Sequence, residues 1–135
     1  GALAIQDVEL RHGDATALPL ADAEVDAALA HMVLHYVASP GEAVCEMARV
    51  VRPGGRVVIV DFVADDDERR PDRSWMRSEL GVLWEGFSPE RITRWLSAAG
   101  LDDVAVEIHE PEAAAHDLPA TFIASAHRPK NTATA

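Results

Sequence analysis

Glycine is scattered through this chain apart from the pair Gly54-Gly55, while cysteine, lysine and tyrosine each occur once among 135 residues. Each shortage excludes something. Without a G-x-G run there is no glycine-rich loop to cradle a phosphate or a dinucleotide. A lone Cys45 forbids an intrachain disulfide and a cysteine-built metal cluster, and fits a reducing, cytoplasmic setting. No apolar run approaches the roughly 20 residues that cross a bilayer. The N-terminal GALAIQDVEL has neither the basic start nor the apolar stretch of a secretory signal. Cations are short as well: 12 Lys and Arg stand against 23 Asp and Glu, a net charge of -11. Phosphate backbones and anionic membranes are bound mostly through Lys and Arg, so neither direct nucleic acid contact nor a membrane partner is expected.

What remains is ordinary globular material, 48% hydrophobic and 26% charged, of a length that supports one core. A single domain over 1–135 is expected, with its core at about 8–128 and residues 129–135 as a frayed tail. Val8 to His12 alternates apolar and polar residues as a short strand, and GDATALPLADAEVD supplies the turn formers of a loop. Val25 to Val33, VDAALAHMV, is apolar at nearly every position, the pattern of a strand covered on both faces, with a buried helix as the rival reading. Ser39, Pro40 and Glu42 then spell cap, first position and capping box for a helix from about Pro40 to Val51. Val44, Met47, Ala48 and Val51 form its apolar stripe, and Cys45 falls beside it as inert packing.

The stretch RVVRPGGRVVIVDF, residues 49–62, sets a helix end, a turn and a strand together. Pro53 disfavours helical geometry at Arg52, and Pro53-Gly54 suits the centre of a type II turn. From Gly55 the β-branched run Val57 to Val60 reads as a central parallel strand buried on both faces. Strand, helix and strand in this order make one βαβ unit. ADDDERRPDR, residues 64–73, reads as a solvated loop, and SWMRSELGVLWEGF as a helix broken at Gly86. SPERITRWLSAAG reads as a helix capped by Ser88, opened by Pro89 and stopped by Gly100, with Ile92, Trp95, Leu96 and Ala99 on one face. DVAVEIHE and TFIASAHR alternate as two strands joined by a Pro-containing loop, an antiparallel terminal pair.

Three groups of residues carry possible chemistry. His31 and His35 have the i,i+4 spacing that binds zinc when both lie on one helix. Here a strand-to-loop transition separates them and no Glu follows His31, so no metal is expected. Ser74, His109 and Asp61 supply the residue types of a nucleophilic triad, but no elbow glycines surround any Ser. Asp14, directly after Gly13 at a strand's C-terminal end, lies where open α/β sheets present ligand contacts. Its carboxylate suits an amino group, and an Asx-type turn is the equally good structural reading. His31, at the end of the next strand, opens onto the same crevice edge.

The stretch from GDATALPLADAEVD through LHYVASPGEAVCEMARVVRPGGRVVIVDF resembles the class I S-adenosylmethionine-dependent methyltransferases in its post-strand acidic motif, "LHH"-like loop and "RPGG" turn before a strand. GFSPERITRWLSAAGL is similar to the helix before their final hairpin. The resemblance covers about Val8 to Arg128. It implies a Rossmann-like sheet, mostly parallel with a C-terminal antiparallel hairpin, and S-adenosylmethionine as cofactor. Asp14 would contact the adenine amino group, the Ala15 backbone the adenine ring, and His31 and Met32 would line the pocket behind the departing methyl group. Tyr36 stands where a second His is commoner. No residue is an obvious general base, and alignment of the acceptor with the methyl group is the main catalytic effect such enzymes use.

The resemblance further implies that the chain supplies the third to seventh strands of a seven-stranded fold, the C-terminal part of a catalytic domain. The glycine-rich loop and the acid that holds the ribose are missing, so the chain alone is expected to be inactive. In the complete sheet the first strand lies beside Val25 to Val33. Its absence uncovers an apolar edge, to be filled by Val8 to His12 or by a second copy in a homodimer. The acceptor is a small molecule or unknown. Similar domains follow winged-helix modules in some bacterial regulators, which gives a ligand-sensing or dimerisation module as the alternative function.

Overall fold

The β-branched run at 57–60 is the centre of the molecule. In the computed structural model, which describes residues 7–64, 72–112 and 118–130, β2 (Val51–Phe62) lies between β1 (Val25–His31) and β4 (Thr121–His127), and β3 (Asp102–His109) completes the sheet. The order of the four strands is β1-β2-β4-β3. β1 and β2 are parallel and are connected by a 3-10 turn at Leu34–Tyr36 and by α1 (Pro40–Val50). β4 runs antiparallel to both of its neighbours. The expected α/β sheet with an antiparallel C-terminal hairpin is present, its parallel part reduced to the single pair β1 and β2.

Alternation along the strands decides which side is covered. Val57, Ile59 and Asp61 of β2 and Phe122, Ala124 and Ala126 of β4 are buried. They lie on the face packed by α1, through Ala43, Val44, Met47 and Ala48, and by α3 (Pro89–Ala98), through Ile92 and Leu96. The residues between them point the other way. Leu29, in register with Val58, is 66% exposed, and Ile123, in register with Val60, is 38% exposed. β1 is therefore covered on one face and not on both, and the alanines that fill it hid the alternation.

The strand expected at Val8 to His12 does not form. Val8 and Leu10 are 61% and 92% exposed, because the segment pairs with no neighbour, and an extended stretch without a ladder has little stability of its own. β1 stops at His31 rather than Val33 because Met32 adopts φ 54 and turns the chain away. Cys45, one step round the helix from Val44, is exposed rather than packed. Ser39 occupies the N-cap of α1 without a side-chain hydrogen bond, its backbone at φ -121 and ψ 76. The helix expected up to Gly86 is the shorter α2 (Trp75–Leu80), ended by Gly81 at φ 72. α3 follows its sequence signals: the Ser88 hydroxyl accepts from the Arg91 amide at 3.1 Å, and Gly100 has φ 84.

The Pro53-Gly54 turn is built into the ladder. Val51 pairs with Val25 and Arg56 with Ala27, so extra β2 residues bulge out between them, with Gly54 at φ 82. A Cβ on Gly55 would collide with the Val51 side chain and lie 2.5 Å from the Asp26 carbonyl oxygen. The end of β4 stitches this turn down: the Gly54 amide donates to the Arg128 carbonyl at 2.8 Å, and the Arg128 amide to that of Gly55 at 2.9 Å. Arg128 Nη1 also donates to the carbonyls of Ala48, Arg49 and Val51, capping α1 from far along the chain.

Most of the charged stretch at 64–73, part of the loop joining β3 to β4, and residues 131–135 of the expected tail lie outside the described residues. Among the described residues no helix is long and apolar enough to cross a membrane. None of their His, Cys, Asp and Glu side chains form a group of three or more placed to hold a metal ion.

Candidate functional site

Parallel strands leave their carboxyl ends at one rim of the sheet, and ligands of open α/β folds bind outside those ends. Here the rim is made by His31 at the end of β1 and Met32 just after it, and by Asp61 and Phe62 at the end of β2. Met32 is half-buried, its amide donating to the Val60 carbonyl at 2.8 Å, and its left-handed φ is a strained position for a residue with a side chain. His31 is exposed beside it.

Asp14 stands on the loop that precedes β1. It is exposed, and its Oδ1 accepts from both the amide and the hydroxyl of Thr16, at 2.8 and 2.7 Å. This is the Asx-type turn, and these hydrogen bonds, the backbone one first, hold the Asp14 carboxyl below its usual value. The other oxygen, Oδ2, has no hydrogen bond among the described residues, so the turn and a ligand contact are compatible. Ala15 is half-buried and lines a groove of about 280 Å³ with Leu18, Leu20, Leu29, Leu34 and Met47. Of the four expected cofactor-binding residues, Ala15 alone lines this groove, and His31 and Met32 meet at the strand rim. The loop is fastened to α1 by polar contacts: Glu46 Oε1 accepts from the Leu18 amide at 2.8 Å, and Arg49 bridges Glu46 and Asp22. Arg49 holds the Glu46 carboxyl below its usual value.

A pair of residues that sequence reasoning did not join lies at the rim. His35, in the 3-10 turn, and Asp61, at the end of β2, are 3% and 0% exposed. His35 Nδ1 lies 2.6 Å from Asp61 Oδ1. The same carboxylate accepts the His35 amide at 3.2 Å and the Phe62 amide at 2.7 Å. The imidazole is edge-on to Tyr36, with ring centres 4.3 Å apart, and stacked on Phe62 at 5.5 Å. The His35 carbonyl receives the amides of Leu83 and Trp84, and the Trp84 indole donates to the Val37 carbonyl at 2.9 Å, so the segment after α2 is laid over this turn. A signal was present in the sequence. Asp61 follows Val57 and Ile59 at two-residue steps, which puts an acid on the covered face, and a buried carboxylate requires partners.

Residues 2–59 match the family model described as a methyltransferase domain. Over 120 residues the chain is 31% identical to the demethylmenaquinone methyltransferase of Paenarthrobacter aurescens, a match taking in 73% of this chain and 47% of that protein. Among solved structures, an S-adenosylmethionine-dependent methyltransferase from Mesorhizobium loti shares the fold with a TM-score of 0.71 at 21% identity, over 94% of this chain and 73% of that one. Phosphoethanolamine N-methyltransferase 2 from Haemonchus contortus, solved with S-adenosyl-L-methionine, does so with a TM-score of 0.71 at 13% identity, over 87% and 36%. The chain thus spans less than half the length of its Paenarthrobacter relative. The sequence match and the shared fold bear out the resemblance to the class I S-adenosylmethionine-dependent methyltransferases.

Proposed function

We propose that this chain forms part of an S-adenosylmethionine-dependent methyltransferase and contributes the adenine-side wall and the acceptor-side rim of its site. One observation carries the reading: the residues that match the methyltransferase domain, 2–59, include the apolar groove beside Ala15 and the rim residues His31 and Met32. The groove suits a flat ring, and the uncommitted Asp14 Oδ2 suits that ring's amino group. When bound, S-adenosylmethionine supplies a methyl group activated on a positively charged sulfur. The chain's own part is to hold and orient, which is where such reactions gain most of their rate.

The sequence contains no glycine-rich loop to take the ribose and methionine end, so methyl transfer is assigned to this chain together with such a segment. Titration with S-adenosylmethionine tests this on the chain and on a form extended at its N-terminus. Binding by the extended form alone supports the reading, and binding by neither removes it.

The free edge of β1 supports a second reading, a dimerisation module in which two copies pair along residues 25–33. Leu29 is exposed there, and unpaired apolar edges recruit strands. A monomer at high concentration by sedimentation removes that reading and leaves the first intact.

A further inference from the structure

At the end of the sheet opposite the rim, where α1 and α3 stop and β4 runs out, lies a second cavity of about 520 Å³. Arg49, Arg128 and Lys130 line it beside Cys45, Ala48 and Gly100, and no acidic or aromatic side chain of the described residues does. The chain has a net charge of -11 and only 12 Lys and Arg, so three cations around one hollow reverse the local sign. A cavity walled by one sign of charge concentrates ligands of the other.

Two helices end here, and free carbonyls at their C-termini would oppose an anion. Those carbonyls are already engaged. Arg128 Nη1 donates to Ala48, Arg49 and Val51, and the Ala23 amide donates to Arg49 at 2.9 Å. At α3 the amides of Ala99, Gly100 and Leu101 donate back to the carbonyls of Trp95, Ser97 and Leu96 at 3.0, 3.0 and 3.1 Å. The three cations differ in how far they are occupied. Arg49 is paired with Glu46 and Asp22. Arg128 uses Nη1 on α1, and its other two nitrogens have no hydrogen bond among the described residues. Lys130 has no hydrogen bond or ion pair there at all. Its stem rests on the Pro53-Gly54 turn, with Cγ and Cε 3.4 and 3.6 Å from the place a Cβ on Gly54 would take.

We propose that this cavity binds a compact, non-aromatic molecule bearing two or more carboxylate or phosphate groups, held by Lys130 and the unoccupied nitrogens of Arg128. Cavities of roughly 300–1,000 Å³ take metabolite-sized ligands. One exposed ion pair is weak, so a ligand that engages both side chains at once is the one the site selects. The guanidinium fork matches carboxylate and phosphate oxygens alike. Without an aromatic wall there is nothing on which a nucleotide base would stack. The bound anion bridges the end of β4 to the end of α1, the joint that Arg128 already makes, so occupancy is read as stability.

Citrate and pyrophosphate are the probes, each compared with sodium chloride of equal ionic strength. Either should raise the melting temperature of the chain and saturate below about 10 mM, unlike the unsaturating effect such anions have through exclusion from the protein surface. Either should also slow alkylation of Cys45 by iodoacetamide, and because Cys45 is the only thiol that rate reports on this cavity alone. Lys130→Met keeps a stem on Gly54, removes the charge and should weaken binding about 10-fold. Arg56→Gln removes an exposed cation at the same end of the sheet, in register with Ala27 on the open side, and should leave binding within about 2-fold. A saturable response to citrate, to pyrophosphate or to both supports the proposal and shows which anionic group the cavity prefers. No response beyond the salt control, or equal losses in Lys130→Met and Arg56→Gln, overturns it and leaves the methyltransferase reading untouched.

Discussion

Phe122 and Ile123 are neighbours in β4, yet the first is fully buried and the second 38% exposed. One sheet thus has two different sides. The side carrying Phe122 is closed by α1 and α3 and is stabilised by burial. The side carrying Ile123, Val60, Val58 and Leu29 has apolar residues without a helix over them among the described residues, and the loop bordering β1 is held to α1 by Arg49 and Glu46 instead. The two edges differ in the same way. β3 is guarded by Asp102, Asp103 and Glu107 and by an irregular register near Asp103, which blunts pairing, whereas the middle of β1 is Ala27, Ala28, Leu29 and Ala30. The closed side and the guarded edge are finished surfaces, and the open side and bare edge are suited to contact.

Phe122→Ala should destabilise the protein by about 3–5 kcal/mol in urea unfolding, while Ile123→Ala should cost less than about 1 kcal/mol. Equal costs would mean that the open side is covered in solution. Asp61→Ala, also on the closed side, should cost about 3 kcal/mol in the same experiment, because it strands the imidazole donor and two backbone amides in a buried place. Leu29→Lys should change stability by less than about 0.5 kcal/mol and abolish any concentration-dependent association seen by sedimentation; association that survives would place the contact elsewhere. The smallest effect concerns the polar fastening of the loop. Arg49 lowers the Glu46 carboxyl, so its stabilising contribution is present above the ordinary carboxylate range and is lost as pH falls through the lowered folded value. Glu46→Gln should therefore melt below the parent at about pH 6, with the gap closing as the pH falls below the ordinary carboxylate range.

Much of the closed side was legible from local patterns. The three- and four-residue steps of Val44, Met47 and Ala48, the Ser88-Pro89 helix start and the two C-terminal alternations need only their own neighbours. The rest was less legible because its features depend on distant partners. Val8 to His12 has a strand's pattern but no strand to pair with. The alternation of β1 is masked by alanines, which look alike inside and out. His35 and Asp61 are 26 residues apart, and only the parallel pairing of β1 with β2 brings them together. Asp14 carries the features of both its readings, since its turn occupies one oxygen and leaves the other.

The guanidinium of Arg128 reaches carbonyl groups 77 to 80 residues earlier in the chain. During synthesis, the final turn of α1 must therefore wait for this part of its capping until β4 has been made and has slid in beside β2. Contacts of such long reach are slow to make, which makes the last strand the latch that finishes the first helix.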